Sequence, residues 1–398
     1  MNRRNLRILD IVAYIRTMTN TRGSIRDLAW KIVNSIPSQY KRIYLVCDTY
    51  KEGSIKAGER KSRGCGKRYV IKSPNMKIPS DFSNFLKNGD NKTMLLNLIE
   101  MALIEDKNKL KDRILFYSNR DHCRMISVDE NHLINNLSSD HEEADTKLVA
   151  LVKASIPTSH SVMIRSPSGD VDILVLFLLH ADGTRVLIDN GTGNARKIID
   201  IHSVNMCIEQ RRALAGMHAF SGNDYVSSFF RKGKTLVWKW IMKNPQFMEV
   251  FGNLGNFKFE DLEKFVCSLY GYPKESSVNK VRTLLFLKSF YQEHKPIDLC
   301  NIPPCFENLR LHFKRSNYVS TIFQRAGELI MDLDNPVHHG WNEEGDSMWS
   351  SQSFPDDIAD LLLNYDGDSQ EDEVDFQCDE EDEDIGDTYN SDEDAEDR

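Results

Sequence analysis

The sequence has no apolar run long enough to cross a membrane: the longest, Ile173 to Leu179, falls far short of the ~18 residues a spanning helix needs. It has no signal-peptide core either, because the basic opening MNRRNLRILD passes at once into strand-like alternation. Its eight cysteines, at positions 47, 65, 123, 207, 267, 300, 305 and 378, form no CxxC pair and no Cys/His cluster at zinc-ligand spacing. That excludes a zinc module, and reduced, mostly buried thiols in an intracellular protein are the expectation. Net positive charge is also missing, with 51 Lys+Arg against 60 Asp+Glu and a formal charge of −9. The deficit is local, however: residues 366–398 hold 18 acidic residues and one basic residue, so this segment carries −17 and the remainder +8. A basic body with an acidic tail is common among nucleic-acid proteins, although charge alone decides nothing about fold.

Apolar periodicity supplies the organisation. Residues 5–17 read as a strand running into a helix, Ser24 to Ile36 as an amphipathic helix, and Arg42 to Asp48 as a buried strand ending in a carboxylate. Thr49 to Val70 is rich in Gly, Lys and Arg and reads as an exposed segment, followed by helical periodicity over Asn91 to Ile104. Ile114 to Asn119, Arg124 to Val128 and Ser161 to Ser166 read as strands, and His141 to Ala154 as a helix opened by acids. Val171 to His180 is either a helix against the sheet or a buried strand, which periodicity does not separate. An Asn-Gly pair at Asn190 and Gly191 suggests a hairpin. Alternation of this kind predicts an α/β domain with a mostly parallel sheet. Helices are expected over Met206 to Ala219, Tyr225 to Phe230, Leu236 to Phe251, Phe259 to Tyr270, Val278 to Glu293 and Asn308 to Arg325. A short amphipathic piece, Asp357 to Leu363, then leads into an acidic tail with too few apolar residues to offset its ordering entropy, so disorder is expected there.

Acids recur where parallel strands end. Asp10 follows Leu6, Ile8 and Leu9; Asp48 closes YLVC; Asp170 and Asp172 follow MIRS; Glu142, Glu143 and Asp145 open a helix; Asp224 sits at a turn. Ligands of open α/β sheets collect outside the carboxyl ends of the strands. Mg²⁺ and Mn²⁺ are hard cations that take carboxylate oxygens and keep waters, so two such ions need about this many acids and no Cys or His. A pair ~4 Å apart activates water at one ion and stabilises the leaving oxygen at the other, the chemistry of phosphodiester hydrolysis. Each acid also has an ordinary explanation: Asp48 as a turn residue, Glu142 to Asp145 at the positive end of a helix, Asp170 as an Asx-turn. It is their joint placement that points to a site.

In order, spacing and context these acids resemble the flap endonuclease group of PIN-like 5′ nucleases over about residues 5 to 250. ILDIVAY resembles the first strand with its aspartate, and VCDTYKEGSIKAGERKSR the segment in which a second aspartate precedes a Lys-x-Gly-Glu element and an arginine. EEAD, SGDVDIL and SGNDYVSSF resemble the family's remaining acidic motifs. The resemblance implies metal ligands at Asp10, Asp48, Glu143, Asp145, Asp170, Asp172 and Asp224, with Lys56 and Arg63 at the scissile phosphate. YVSSFFRKGKTLVWKW resembles a helix, glycine turn and helix that holds duplex backbone, implying phosphate contacts at Lys232, Gly233 and Lys234. NGDNK at 88–92, EEADT at 142–146 and HAFSGND at 218–224 further resemble a divergent nuclease-like group in animals.

The implied architecture is a PIN-like, mostly parallel sheet flanked by helices over 1–235, a helical C-terminal region over 236–335, a linker with a short helix over 336–365 and a disordered acidic tail over 366–398. The implied activity is two-metal hydrolysis of DNA, with RNA as a further substrate class. A nuclease fold without turnover that binds or scaffolds nucleic acid is the alternative, and an interaction protein whose tail recruits basic partners is a third reading that leaves the acids unexplained. The tail is further expected to compete with substrate for the basic body. The basic run Lys56 to Arg68 reads as substrate surface rather than an import signal, and a nuclear location is favoured over a cytoplasmic one.

Overall fold

The computed structural model describes residues 4–18, 21–50, 54–55, 66–166, 169–180, 183–289 and 298–351. Eight strands form one sheet: β1 (Arg4–Asp10), β2 (Arg42–Val46), β3 (Ile114–Asn119), β4 (His122–Ile126), β5 (Asn131–Leu133), β6 (Ser159–Ser166), β7 (Arg185–Asn190) and β8 (Lys197–Asp200). Their order is β5-β4-β3-β2-β1-β6-β7-β8. The central five, β3-β2-β1-β6-β7, run parallel, and antiparallel partners close both edges. The chain therefore winds outward from β1 to β3 and returns to β6 on the other side of β1, so the order reverses between β1 and β6. Crevices at such reversals are where α/β sheets take their ligands.

Alternation along the strands gives the sheet two apolar faces. Leu6, Ile8, Tyr44, Val46, Val162, Ile164, Val186 and Ile188 point to one side. There they meet α5 (Ala144–Ser155), α6 (Gly169–Leu179), the end of α7 (Ile208–Ser221) and α12 (Phe306–Arg325). Leu9, Ile43, Leu45, Leu115, Tyr117 and Met163 face the other side, against α1 (Ile11–Arg16), α2 (Ile25–Ser35), α3 (Phe82–Lys87) and α4 (Gly89–Glu105). Helix α2 starts as its sequence dictates, with Ser24 and Asp27 forming a reciprocal capping box and Ile25, Leu28, Ala29, Ile32 and Val33 buried.

A third apolar cluster joins α7, α8 (Lys234–Lys243), α9 (Gln246–Gly252), α10 (Phe259–Leu269), α11 (Val278–Leu287) and α12 around Phe220, Trp240, Phe251 and Phe265. Gly216 permits the close approach of α7 and α9, since a Cβ there would lie 1.9 Å from the Phe251 carbonyl oxygen. Beyond α12 the chain is held to the body. Arg315 donates to the Gly340 and Met348 carbonyls at 3.1 and 2.9 Å, Asn308 and Ser350 bond reciprocally, and Trp341 is buried in the same cluster as the sheet.

The fold is thus the expected mostly parallel α/β sheet with flanking helices and a helical C-terminal region. Val171 to His180, left open between helix and strand, is helical as far as Leu179. Two helices expected from the sequence need correction. Tyr225 to Phe230 is a turn and irregular chain, because Val226 bridges back to Asn223 instead of continuing forward. The expected helix-turn-helix at Lys232 to Lys234 therefore has only its second helix. Leu236 to Phe251 is two helices, α8 and α9, divided at Asn244 and Pro245, where proline lacks the amide that would continue the ladder. The amphipathic piece at Asp357 to Leu363 and the acidic tail lie outside the described residues. Among the described residues, no helix is long and apolar enough to cross a membrane. Cys47, Cys123, Cys267 and Cys305 are buried, and Cys207 and Cys300 are exposed.

Candidate functional site

At the carboxyl edge of the sheet three helices begin, and each opens on acids. Asp10 ends β1 and caps α1, its Oδ1 accepting from the Val12 and Ala13 amides at 2.7 and 3.1 Å. Asp48, just past β2, accepts at Oδ1 from the Ala144 amide at 2.8 Å and at Oδ2 from the Tyr50 hydroxyl at 3.1 Å. It thus caps the first turn of α5 from a distant part of the chain. Glu143 and Asp145 open that helix, and Asp170 and Asp172 lie in the first turn of α6.

Hydrogen bonds explain why the end of β2 meets the start of α5. The buried amine of Lys147 donates to the Cys47 carbonyl, the Thr49 hydroxyl and the Arg120 carbonyl, at 3.0, 3.0 and 2.8 Å. The Thr49 amide donates to the Glu142 carbonyl at 2.7 Å. Asp48 is therefore pinned on both sides. Asp224 is presented by an Asx turn: the Asn223 side chain accepts from the Tyr225 amide at 2.9 Å and donates to the His218 and Ala219 carbonyls at 3.1 and 3.2 Å. Gly222, which ends α7, has φ +118°, and a Cβ there would lie 2.7 Å from that of Ser228.

Glu143, Asp145, Asp170 and Asp224 line one cavity of about 30 Å³, together with Thr146, Leu174, His218, Asn223, Tyr225 and Phe323. That is room for one or two water-sized particles. A cavity of about 300 Å³ adjoins it, sharing Glu143, Thr146 and Tyr225 and continuing past Glu142, Asp140, Tyr318 and Ile322. Asp48 stands next to Glu143 through its bond to the Ala144 amide, and Asp10 in turn lies near Asp48. Asp172 flanks the group, turned toward Asn190, whose side-chain amide donates to its Oδ2. The structure thus brings four of the seven predicted acids to one cavity, while Asp10, Asp48 and Asp172 do not line it. Among the described residues, no three Asp, Glu, His or Cys side chains are gathered closely enough to hold one ion as they stand.

The electrostatics of the site are those of crowded acids. Burial and the neighbouring charge of Asp48 raise the Asp10 carboxyl to about 7, against the opposing pull of the Ala13 and Val12 amides. Burial raises Asp172 to about 7 as well, with Asn190 opposing and Asp170 contributing. The Oδ1 of Asp172 is buried with no hydrogen-bond partner among the described residues. Hard carboxylate oxygens, two acids whose protonated form is favoured by burial and like charge, and an orphaned carboxylate oxygen together fit a divalent cation, whose charge would offset these effects.

Two basic groups expected to act together are separated. The Lys234 amine lies 3.7 Å from Asp170 Oδ1, at the cavity, whereas that of Lys232 lies 5.1 Å from the centre of the Tyr270 ring. Gly233 caps the start of α8. Lys56 and Arg63 lie outside the described residues. Sequence reasoning missed His218, a fully buried ring whose Nε2 lies 3.6 Å from Asp170 Oδ1. Burial lowers it to about 4, against the pull of Asp170, so the ring is neutral at neutral pH. It also missed Tyr225, whose hydroxyl is raised well above its ordinary range by burial and then by Glu143 and Glu142. In sequence both look like core residues; only HAFSGND, as a block, carried a signal.

No protein-family model matches the chain, and no curated protein sequence matches it either. Among solved structures it is similar to a bacteriophage T5 5′-exonuclease with bound zinc, at a TM-score of 0.39 and 14% identity over 81% of this chain and 91% of that one. It is also similar to a phage T5 flap endonuclease in a complex with DNA and metal ions, at a TM-score of 0.33 and 13% identity over 81% of this chain and all of that one. The chemistry of the present site is read from its own residues.

Proposed function

We propose that this chain is a divalent-metal-dependent nuclease acting on DNA, with RNA as a further substrate class. The observation that carries the reading is the convergence of Glu143, Asp145, Asp170 and Asp224 on one cavity at the carboxyl edge of the sheet, beside Asp10, Asp48 and Asp172. In this reading the seven acids hold one or two Mg²⁺ or Mn²⁺ ions. Bound there, such ions would activate water and stabilise a leaving oxygen. Lys147 fixes the chain on both sides of Asp48, and Asn223 fixes the turn that carries Asp224, so these two acids are held in place. Lys234, whose amine lies 3.7 Å from Asp170 Oδ1, meets a phosphate oxygen. Lys232 and the amides opening α8, from Gly233 onward, hold backbone phosphate without reading sequence. Lys56 and Arg63 are assigned to the scissile phosphate, and the acidic tail to competition for the same basic surface.

The test is cleavage of labelled flap, gapped, single-stranded and duplex DNA with Mg²⁺, Mn²⁺ or chelator. Metal-dependent products that disappear in Asp145→Asn support the proposal; equal cleavage in chelator sinks it. A second reading, a nucleic-acid-binding module without turnover, is favoured by the spacing of the donors, no three of which among the described residues are gathered for one ion. Salt-sensitive binding with no cleavage in any metal would select it.

A further inference from the structure

We propose that His218 is a nitrogen ligand in the carboxylate cavity, so that the site prefers a first-row transition ion over Mg²⁺. This rests on the metal-dependent reading above. His218 lies in the last turn of α7, is 2% exposed and lines the cavity with Asp170 and Asp224. Its ring is held in one plane by stacking on Phe323, with centroids 5.2 Å apart and planes 7° from parallel.

Two features set it apart from an ordinary core histidine. Buried ring nitrogens are normally hydrogen-bonded, as His312 is, its Nε2 lying 2.8 Å from the Phe220 carbonyl oxygen. His141 likewise bonds through Nε2, 2.7 Å from the Glu328 carbonyl oxygen, and leaves only its Nδ1 unpartnered, whereas neither nitrogen of His218 is hydrogen-bonded: its Nδ1 is buried with no partner among the described residues. Its Nε2 lies 3.6 Å from Asp170 Oδ1, which is too far for a hydrogen bond. Adjacent ligands on an ion with bonds of about 2.1 Å stand ~3.0 to 3.4 Å apart, so a small closure of this gap sets both atoms on one metal. The hydroxyls, amides and carboxylates around the cavity serve Mg²⁺ equally well, but an imidazole nitrogen does not. It favours the transition series, in which affinity rises from manganese onward.

Mn²⁺ is the probe, because its unpaired electrons report on coordinated nitrogen. The full chain is loaded with one equivalent of Mn²⁺ and examined by electron spin echo envelope modulation, with natural and ¹⁵N-histidine protein. Nitrogen modulation that changes isotope with the label is expected. In His218→Phe, which keeps a ring against Phe323, it should vanish, and the preference for Mn²⁺ over Mg²⁺ should fall at least about tenfold, the lower range for residues that merely orient ligands. His218→Gln repeats the test should the phenylalanine variant misfold, and the wild-type spectrum decides on its own if both do. Bound Mn²⁺ without nitrogen modulation overturns this inference and leaves the nuclease reading standing. No Mn²⁺ binding at all overturns both.

Discussion

Two charged clusters occupy the same sheet, and they resolve the cost of burial in opposite ways. Asp189 on β7 is 1% exposed, yet its carboxyl is held below its ordinary range. Burial alone would raise it, but Arg196 donates to both oxygens at 2.7 and 2.8 Å, Arg7 donates from β1, and Arg165 reaches its backbone carbonyl from β6 at 2.8 Å. Asp10 and Asp172, at the carboxyl edge, are buried beside other acids and rise to about 7. The first cluster is closed by the chain's own cations. The second keeps its acids raised, and under the proposed function a bound divalent cation would offset that cost, which is how a binding site would differ from a structural ion network.

The largest expected effect breaks the second cluster functionally. Asp172→Asn should lower metal-dependent cleavage by about a hundredfold or more, because a ligand acting in the transition state is lost, while the melting temperature stays the same or rises. Cleavage at the wild-type rate would mean that this carboxylate is not part of the machinery.

Stability should then separate the clusters by sign. Asp189→Asn leaves three arginines without their counter-charge and should cost about 3 to 5 kcal/mol in urea unfolding, with no rescue by divalent cations. Asp10→Asn, measured in chelator at pH 8, should unfold at higher urea than wild type. If both substitutions destabilise alike, the contrast between the clusters is wrong.

The pH dependence follows with its sign fixed by the same shifts. Between about 4 and 7 the folded state keeps protons on Asp10 and Asp172 that the unfolded chain has released, so stability in chelator should fall as pH rises through that window. Asp189 acts in the other direction, adding stability above the ordinary carboxylate pKa that is lost as pH falls through its lowered folded value. Unfolding at pH 5, 6, 7 and 8 in chelator reads the first limb and unfolding at pH 2, 3 and 4 the second, and a slope that is flat from pH 5 to 8 would count against crowded acids at the site.

The smallest effects concern the lysines. Lys232→Ala should weaken DNA binding and reduce the salt slope by about one, as for a single phosphate contact. Lys234→Ala, whose amine lies at the cavity beside Asp170, should lower cleavage more than binding. Identical behaviour of the two would remove the division between backbone grip and reacting phosphate.

What could be read beforehand follows from which interactions are local. Strands β1, β2, β3 and β6 announced themselves as short apolar runs, and the acids at their ends marked the edge where a site forms. Strand β5, three exposed residues, carries no pattern to read. The Tyr225 to Phe230 helix misled because the composition suits a helix, whereas the Asn223 side chain and the positive φ of Gly222 turn the chain there. The Asp189 cluster was invisible because it depends on register across three strands, with Arg165 opposite Asp189 and Arg7 one strand further on. Lys147 and His218 were overlooked for a related reason: each sits within a buried stretch of helix, and only the fold reveals that Lys147 pins Asp48 and that His218 faces Asp170.

The central claim, that the acidic edge is a divalent-cation site, is tested most directly by thermal unfolding of the full chain at pH 8 as Mn²⁺ is titrated. Wild type should gain melting temperature saturably, as a ligand that binds only the folded state requires, and Asp10→Asn should gain much less. A melting temperature that Mn²⁺ leaves unchanged, or a gain of equal size in both proteins, would contradict it.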